Sequence, residues 1–340
     1  VVRPGRADLA ARFLASLGRG SERRIGVRPL PPRGSEFVLR GGMVFDGAGS
    51  PPRSADVAVE SGRIRLAAAG AVRGLEVIDV DGMAVAPGFI DVHSHADLEA
   101  VLFGDDPQIH HSRLLQGVTT EVVGNCGFSP FPVLPGSVDE CAALLSIVMG
   151  EGAETFADLD EYNAAVTTSG PASNVAPLVG HGTLRASVIG GEARRATPSE
   201  LARMANALDR SMTLGAIGLS SGLCYSPATY AEPEELRVLV DVLRLTGGVY
   251  STHVRNETHL VAAAIGEALD TVSGLGVPLH VSHLKVAGRT QWGESRGILD
   301  RLDAARASGV DVTADVYPYT AASTMLHSLL PPWMAEGGPG

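Results

Sequence analysis

The sequence predicts an α/β fold, a barrel of parallel strands and helices preceded by a small β-domain. Three observations predict it. After residue 84, β-rich apolar segments alternate with amphipathic segments of helical length. Before residue 84, short alternating pieces are broken by Gly, Ser and Asp. Finally, histidines and a cysteine fall at the C-terminal ends of several different candidate strands. A barrel builds its site that way, whereas a doubly wound sheet gathers its ligands at one switch point.

In chain order, residues 1–34 carry several arginines and few acids and have no apolar run. They read as a disordered lead, with the composition of a transit peptide but without the core of a secretory signal. Residues 35–84 read as a small β-domain, part of a β-sandwich too short to be complete, with pieces at 37–40, 43–47, 56–60 and 63–66. Residues 85–340 read as the barrel. Candidate strands span 83–92, 118–124, 174–180, 216–221, 248–253, 278–283 and 311–317. Helical patterns span 199–214, 234–245, 260–273 and 297–307, with Thr197-Pro198 and Glu232-Pro233 as starts and Gly247, Gly276 and Gly309 as stops. Strands alternating with helices form right-handed βαβ units. Seven strands are legible, and a metal-binding (β/α)8 TIM-like barrel needs an eighth, which the reading does not reach before Gly340.

Composition excludes several classes. With 340 residues, 45% of them hydrophobic, the chain can bury a large core. A formal net charge of -11 without a basic stripe argues against a nucleic-acid or anionic-membrane partner. Three irregularly spaced cysteines do not form a disulfide framework, which fits the cytoplasm, and no apolar run has membrane-spanning length. Of the 27 basic residues only one is lysine, Lys285, so that position calls for an ammonium where a guanidinium would not serve.

Pro87-Gly88-Phe89-Ile90-Asp91-Val92-His93-Ser94-His95 sets two imidazoles two residues apart after an apolar run. On a strand His93 and His95 share a face, and together they read as half of a metal site. Cys126, flanked by glycines after the second strand, adds a thiol that suits zinc beside imidazoles. His253 and His283 occupy the ends of the fifth and sixth strands, and Lys285 follows two residues later, facing the mouth if the strand continues. His181 reads as a residue orienting a ligand, and His110, His111, His259, His280 and His327 as structural, with His280 turned toward the helices.

These residues carry a resemblance. VAPGFIDVHSHAD is similar to the opening motif of the amidohydrolase superfamily, and VVGNCG, VSHLK and DVYPYTAAST resemble its N-acyl-D-amino-acid deacylase branch. The resemblance implies that Cys126, His253 and His283 hold one tight zinc, with His93 and His95 at a second, weaker site. It implies that Tyr225, Lys285, Tyr317 and Ser323 line the pocket for a small-molecule N-acyl amino acid. The carboxylated lysine that bridges metals in other members has no counterpart here, and Cys126 takes its place. The implied reaction is hydrolysis of the amide to a carboxylate and a free D-amino acid by metal-bound hydroxide, with a Tyr317 donor to the oxyanion. The implied catalytic base is an aspartate beyond Gly340, with Asp315 a weak substitute. The alternatives are a cyclic-amide hydrolase of the same superfamily, which the absent bridging lysine disfavours, and a non-catalytic scaffold, which the retained ligand positions disfavour.

Overall fold

The computed structural model describes residues 37–73, 76–102, 111–150, 152–171, 173–324 and 334. The lead at 1–34, His110, His327 and the side chain of His111 lie outside the described residues. Those described form two compact units, divided between Phe89 and Ile90.

The first unit is a five-stranded sheet of β1 (Phe37–Val44), β2 (Arg53–Glu60), β3 (Arg63–Ala67), β4 (Glu76–Asp79) and β5 (Ala84–Val85). β1 pairs antiparallel with β2 and parallel with β4 and β5. The two strand pieces expected at 37–40 and 43–47 are one strand, because Gly41 at φ 82° absorbs the register shift as a β-bulge instead of ending the strand. Asp56, on β2, is fully buried, its two carboxylate oxygens accepting from Gly41 N in the bulge and Gly70 N in the turn after β3.

The second unit is the barrel. Its strands are β6 (Phe89–Asp91), β7 (Val118–Val123), β8 (Asn174–Pro177) with β9 (Val179–Gly180), β10 (Gly218–Gly222), β11 (Val249–His253), β12 (Leu279–Val281) and β13 (Val312–Ala314). β7 pairs parallel with β8, and β9 to β13 pair parallel in chain order. Leu178 N donates to Val123 O between β8 and β9, so residues 174–180 act as one strand joining both sheets. The seven strand positions therefore follow one another as expected, and an eighth is not among the described residues. One prediction needs correction at its start. The strand expected over 83–92 is two strands, because Pro87-Gly88 breaks it and Ala84–Val85 pairs with β1 in the first unit.

The helices between strands bury apolar stripes against the barrel. The helix Pro198–Leu214 begins with a reciprocal capping box between Thr197 and Glu200, has Pro at its first position, and ends at Gly215 in the left-handed region. It buries Met204, Leu208 and Met212, four residues apart, in the same core as Leu239 and Leu243 of the helix Pro233–Thr246. No described helix is long and apolar enough to cross a membrane.

Candidate metal centre

The loop after β7 brings Cys126 into place through extreme backbone proximity. A side chain at Gly124 would meet Leu178 O at 2.2 Å, and one at Gly222 would meet Cys126 O at 2.0 Å. Only glycine lets the loop lie this flat on the strand ends. Ser220 Oγ closes the loop, donating to Gly124 O and accepting from Gly127 N. Cys126 itself sits at φ 54° and His283 at φ 36°, two of the three described non-glycine residues with positive φ. Each such conformation costs about 1–2 kcal/mol, and such strain collects at functional sites.

The donor atoms converge. Cys126 Sγ lies 3.3 Å from His93 Nε2 and 3.5 Å from His283 Nε2. The His93 ring is 5.4 Å from that of His95 and 5.0 Å from that of His283, and His253 and His283 are 4.3 Å apart. Two groups of donors therefore form within 4.8 Å: His93, Cys126 and His283, and His253, Glu257 and His283. His283 belongs to both.

Alternation along a strand is not what pairs His93 with His95. The strand ends at Asp91, whose Oδ1 accepts from His93 N and turns the chain, while Ser94 Oγ donates to buried Glu121. Similarly, β12 ends at Val281, so Lys285 reaches the site from the turn at His283 and not from a continued strand. Its Nζ sits 2.5 Å from Glu257 Oε1, 2.9 Å from His283 Nδ1 and 5.4 Å from the Tyr317 ring centre. Tyr225 lies edge-on to His253 at 5.0 Å, and its hydroxyl meets Thr324 at 3.3 Å. Ser323 is exposed beside that contact.

His181 does not reach this cluster. It is fully buried at the start of the helix His181–Ile189, with Nε2 2.8 Å from Glu235. His280, expected to face the helices, turns instead to Asp315, with Nε2 2.7 Å from Oδ2, because β12 and β13 align it with Thr313. Two residues escaped the sequence reading. Glu257 Oε1 accepts from His283 Nδ1 at 2.9 Å, and Cys224 Sγ lies 3.1 Å from His253 Nε2. The signal for Glu257 was its four-residue spacing from His253. Cys224 had none beyond its place next to Tyr225.

Electrostatics prepare the imidazoles as ligands. Burial pushes His95 and His253 down to about 3, so both are neutral at neutral pH, the form that binds metal. Burial alone would raise Glu257, yet the His283 hydrogen bond and the neighbouring His253, His283 and Lys285 hold it at about 2. Burial likewise opposes ionisation of Asp315, but hydrogen bonds from His280 and His93 hold it well below the usual carboxylate range. Burial raises the Cys126 thiol, a cost that a cation between these donors would reverse. The donors fit zinc: a thiol and neutral imidazoles converge, and the buried Nδ1 atoms of His95 and His253 have no hydrogen-bond partner among the described residues.

A parallel βα barrel with thiol and imidazole donors at its strand ends defines the class. The chain belongs to the amidohydrolase family, whose model matches residues 76–330. It is 40% identical over 296 residues to an N-acyl-D-glutamate deacylase of Alcaligenes xylosoxydans xylosoxydans, covering 86% of this chain and 58% of that protein. Among solved structures it is similar to an N-acyl-D-glutamate deacylase from Bordetella bronchiseptica complexed with zinc and a phosphonate mimic of the tetrahedral intermediate, at TM-score 0.76 and 40% identity, covering 84% and 58%. It is also similar to a D-aminoacylase whose binuclear metal centre is described as activated by one metal and attenuated by a second, at TM-score 0.77 and 38% identity, covering 84% and 59%. The chain thus spans less than two thirds of the length of these relatives.

Proposed function

We propose that this protein is a zinc-dependent deacylase that hydrolyses N-acyl-D-amino acids to a carboxylate and a free D-amino acid. The observation that carries the reading is Cys126 Sγ facing the Nε2 atoms of both His93 and His283, beside the single lysine of the chain. Cys126, His253 and His283 hold the tight zinc, and His93 and His95 contribute to a weaker second position. The donor groups of the structure are drawn differently, Cys126 lying with His93 and His283, and His253 with Glu257 and His283, so His283 is the residue that joins the two positions. When bound, zinc polarises the amide carbonyl and makes ionised water available near neutral pH.

The chain's own residues supply the rest. Lys285, with three donors, shares Glu257 while still reaching a substrate α-carboxylate, and Tyr317 beneath it limits its movement. Tyr225, tilted against Phe128 and edge-on to His253, forms an apolar wall next to the ligands, with Ser323 at the rim. Holding the carboxylate fixes the scissile amide over the donors and makes attack effectively unimolecular. Glu257 and Asp315 are both committed to the clustered histidines, so the base that takes the proton is another group. The three free cysteines accord with a cytoplasmic protein.

The test is zinc content and turnover of N-acetyl-D-methionine and its L enantiomer by the full-length protein. We expect stoichiometric zinc and D-selective hydrolysis that a chelator abolishes. Zinc without hydrolysis of either enantiomer would overturn the reading.

A further inference from the structure

Two oxygens of one carboxylate reach three elements of the proposed metal centre. Asp315 Oδ1 accepts from the backbone N–H of His283 at 2.7 Å, and Oδ2 lies 3.3 Å from His93 Nδ1 and 2.7 Å from His280 Nε2. The backbone of Asp315 is itself tied down: its N–H donates to Val281 O, and its carbonyl accepts from Leu284 N. His280 is buried, with Nδ1 2.7 Å from Thr313 Oγ1. That leaves Nε2–H for Asp315, a tautomer assigned from the hydrogen bonds.

We propose that Asp315 is the positioning carboxylate of the metal centre and that His280 holds it in place. The inference rests on the zinc reading above. A hydrogen bond to Nδ1–H fixes His93 in the tautomer whose Nε2 lone pair faces Cys126 Sγ, 3.3 Å away. The bond to His283 N fixes a peptide in the left-handed region at φ 36°, a turn that otherwise relaxes and swings the imidazole away. One side chain therefore sets a ligand ring in one case and a ligand backbone in the other. Three protein donors already share the two oxygens, which assigns Asp315 to positioning and leaves proton transfer from water to another group.

The test uses the full-length protein with Asp315→Asn, which keeps the shape and loses an acceptor, and His280→Gln, which leaves the carboxylate and removes its holder. Zinc dissociation constants come from competition with a chromophoric chelator, melting temperatures from the zinc-free proteins, and turnover from a zinc titration. We expect Asp315→Asn to weaken zinc binding about 10–100-fold, the range for partners that orient ligands, with His280→Gln weaker in the same direction. Zinc-free Asp315→Asn should melt below wild type, because a carboxylate held below its ordinary range stabilises the fold, so affinities are compared at a temperature where every zinc-free protein is fully folded, and turnover should return at saturating zinc. Unchanged zinc affinity in both variants overturns the proposal. So does unchanged affinity with turnover lost at every zinc concentration, which makes Asp315 the base. A loss of affinity that disappears where every zinc-free protein is fully folded overturns it too, because Asp315 then serves the fold alone. Zinc affinity is read without substrate, so a failure of the deacylase reading leaves this result standing.

Discussion

Histidine is buried beside carboxylate in two parts of the barrel, with opposite consequences. His181, Arg185 and Glu235 form one cluster: Glu235 Oε1 lies 2.8 Å from His181 Nε2, and Oε2 accepts from Arg185 Nη1 at 2.5 Å. His93, Cys126, His253, His283 and their carboxylates form the other. In the first, the carboxylate lies between a cation and a ring, and Arg185 Nη2 finishes on Arg194 O. In the second, carboxylates hold the Nδ1 side of His93 and His283, so the Nε2 lone pairs point at one thiol. A histidine shielded from solvent is thus a structural element where its neighbours neutralise one another, and a candidate ligand where they leave lone pairs aimed at a common point.

The largest effect that sharpens this contrast is on stability. Glu235→Gln leaves Arg185, with no exposed surface, without its counter-charge. Removing one partner of a buried pair costs about 3–5 kcal/mol. Denaturant unfolding should show that loss, while zinc affinity of the folded protein stays at the wild-type value. A fall in zinc affinity would mean that the two clusters are not independent.

Next is Cys126→Ser, which removes the soft donor from the convergence point. Loss of the Lewis acid forfeits several kcal/mol of transition-state stabilisation, on the order of a thousandfold in turnover. Stability of the zinc-free protein should be unaffected, the reverse of the Glu235 result. Smaller again is Glu257→Gln, which keeps the contact to His283 but removes the charge that orients its ring. Zinc affinity should fall about tenfold or more, measured by chelator competition.

The strand order and part of the convergence of donor side chains were legible in the sequence because both rest on local pattern: apolar runs at regular spacing and imidazoles at strand ends. The orientation of His280 was not. Alternation counted from His283 assumes that the strand continues, yet β12 stops at Val281 and His283 enters the left-handed region. The same assumption fails for His93 and His95, since a turn at Asp91 and not a pleat sets them, and His93 joins a donor group with Cys126 and His283 that does not include His95. Glu257 and Cys224 were hidden because their roles depend on which loops meet over the barrel mouth, a long-range fact that no window of residues contains.

The smallest prediction concerns acid. Burial lowers the His181 imidazole from its ordinary value of 6.5, with the Glu235 hydrogen bond only partly opposing it. A base whose folded pKa is depressed binds fewer protons folded than unfolded, so stability is complete above 6.5 and falls as the pH drops below it. Glu235 is held below 4.5 by His181 and Arg185 against the opposing effect of burial, so its contribution is lost only below 4.5. His95 and His253 bend the curve in the same direction as His181, so the informative quantity is a difference between proteins. Zinc-free His181→Asn should lose less stability than wild type between pH 6.5 and 4.5, read from urea midpoints at each pH. Parallel curves in that window would show that His181 is protonated in the folded state, and would move the cluster from a neutral ring beside an ion pair to a carboxylate shared by two cations.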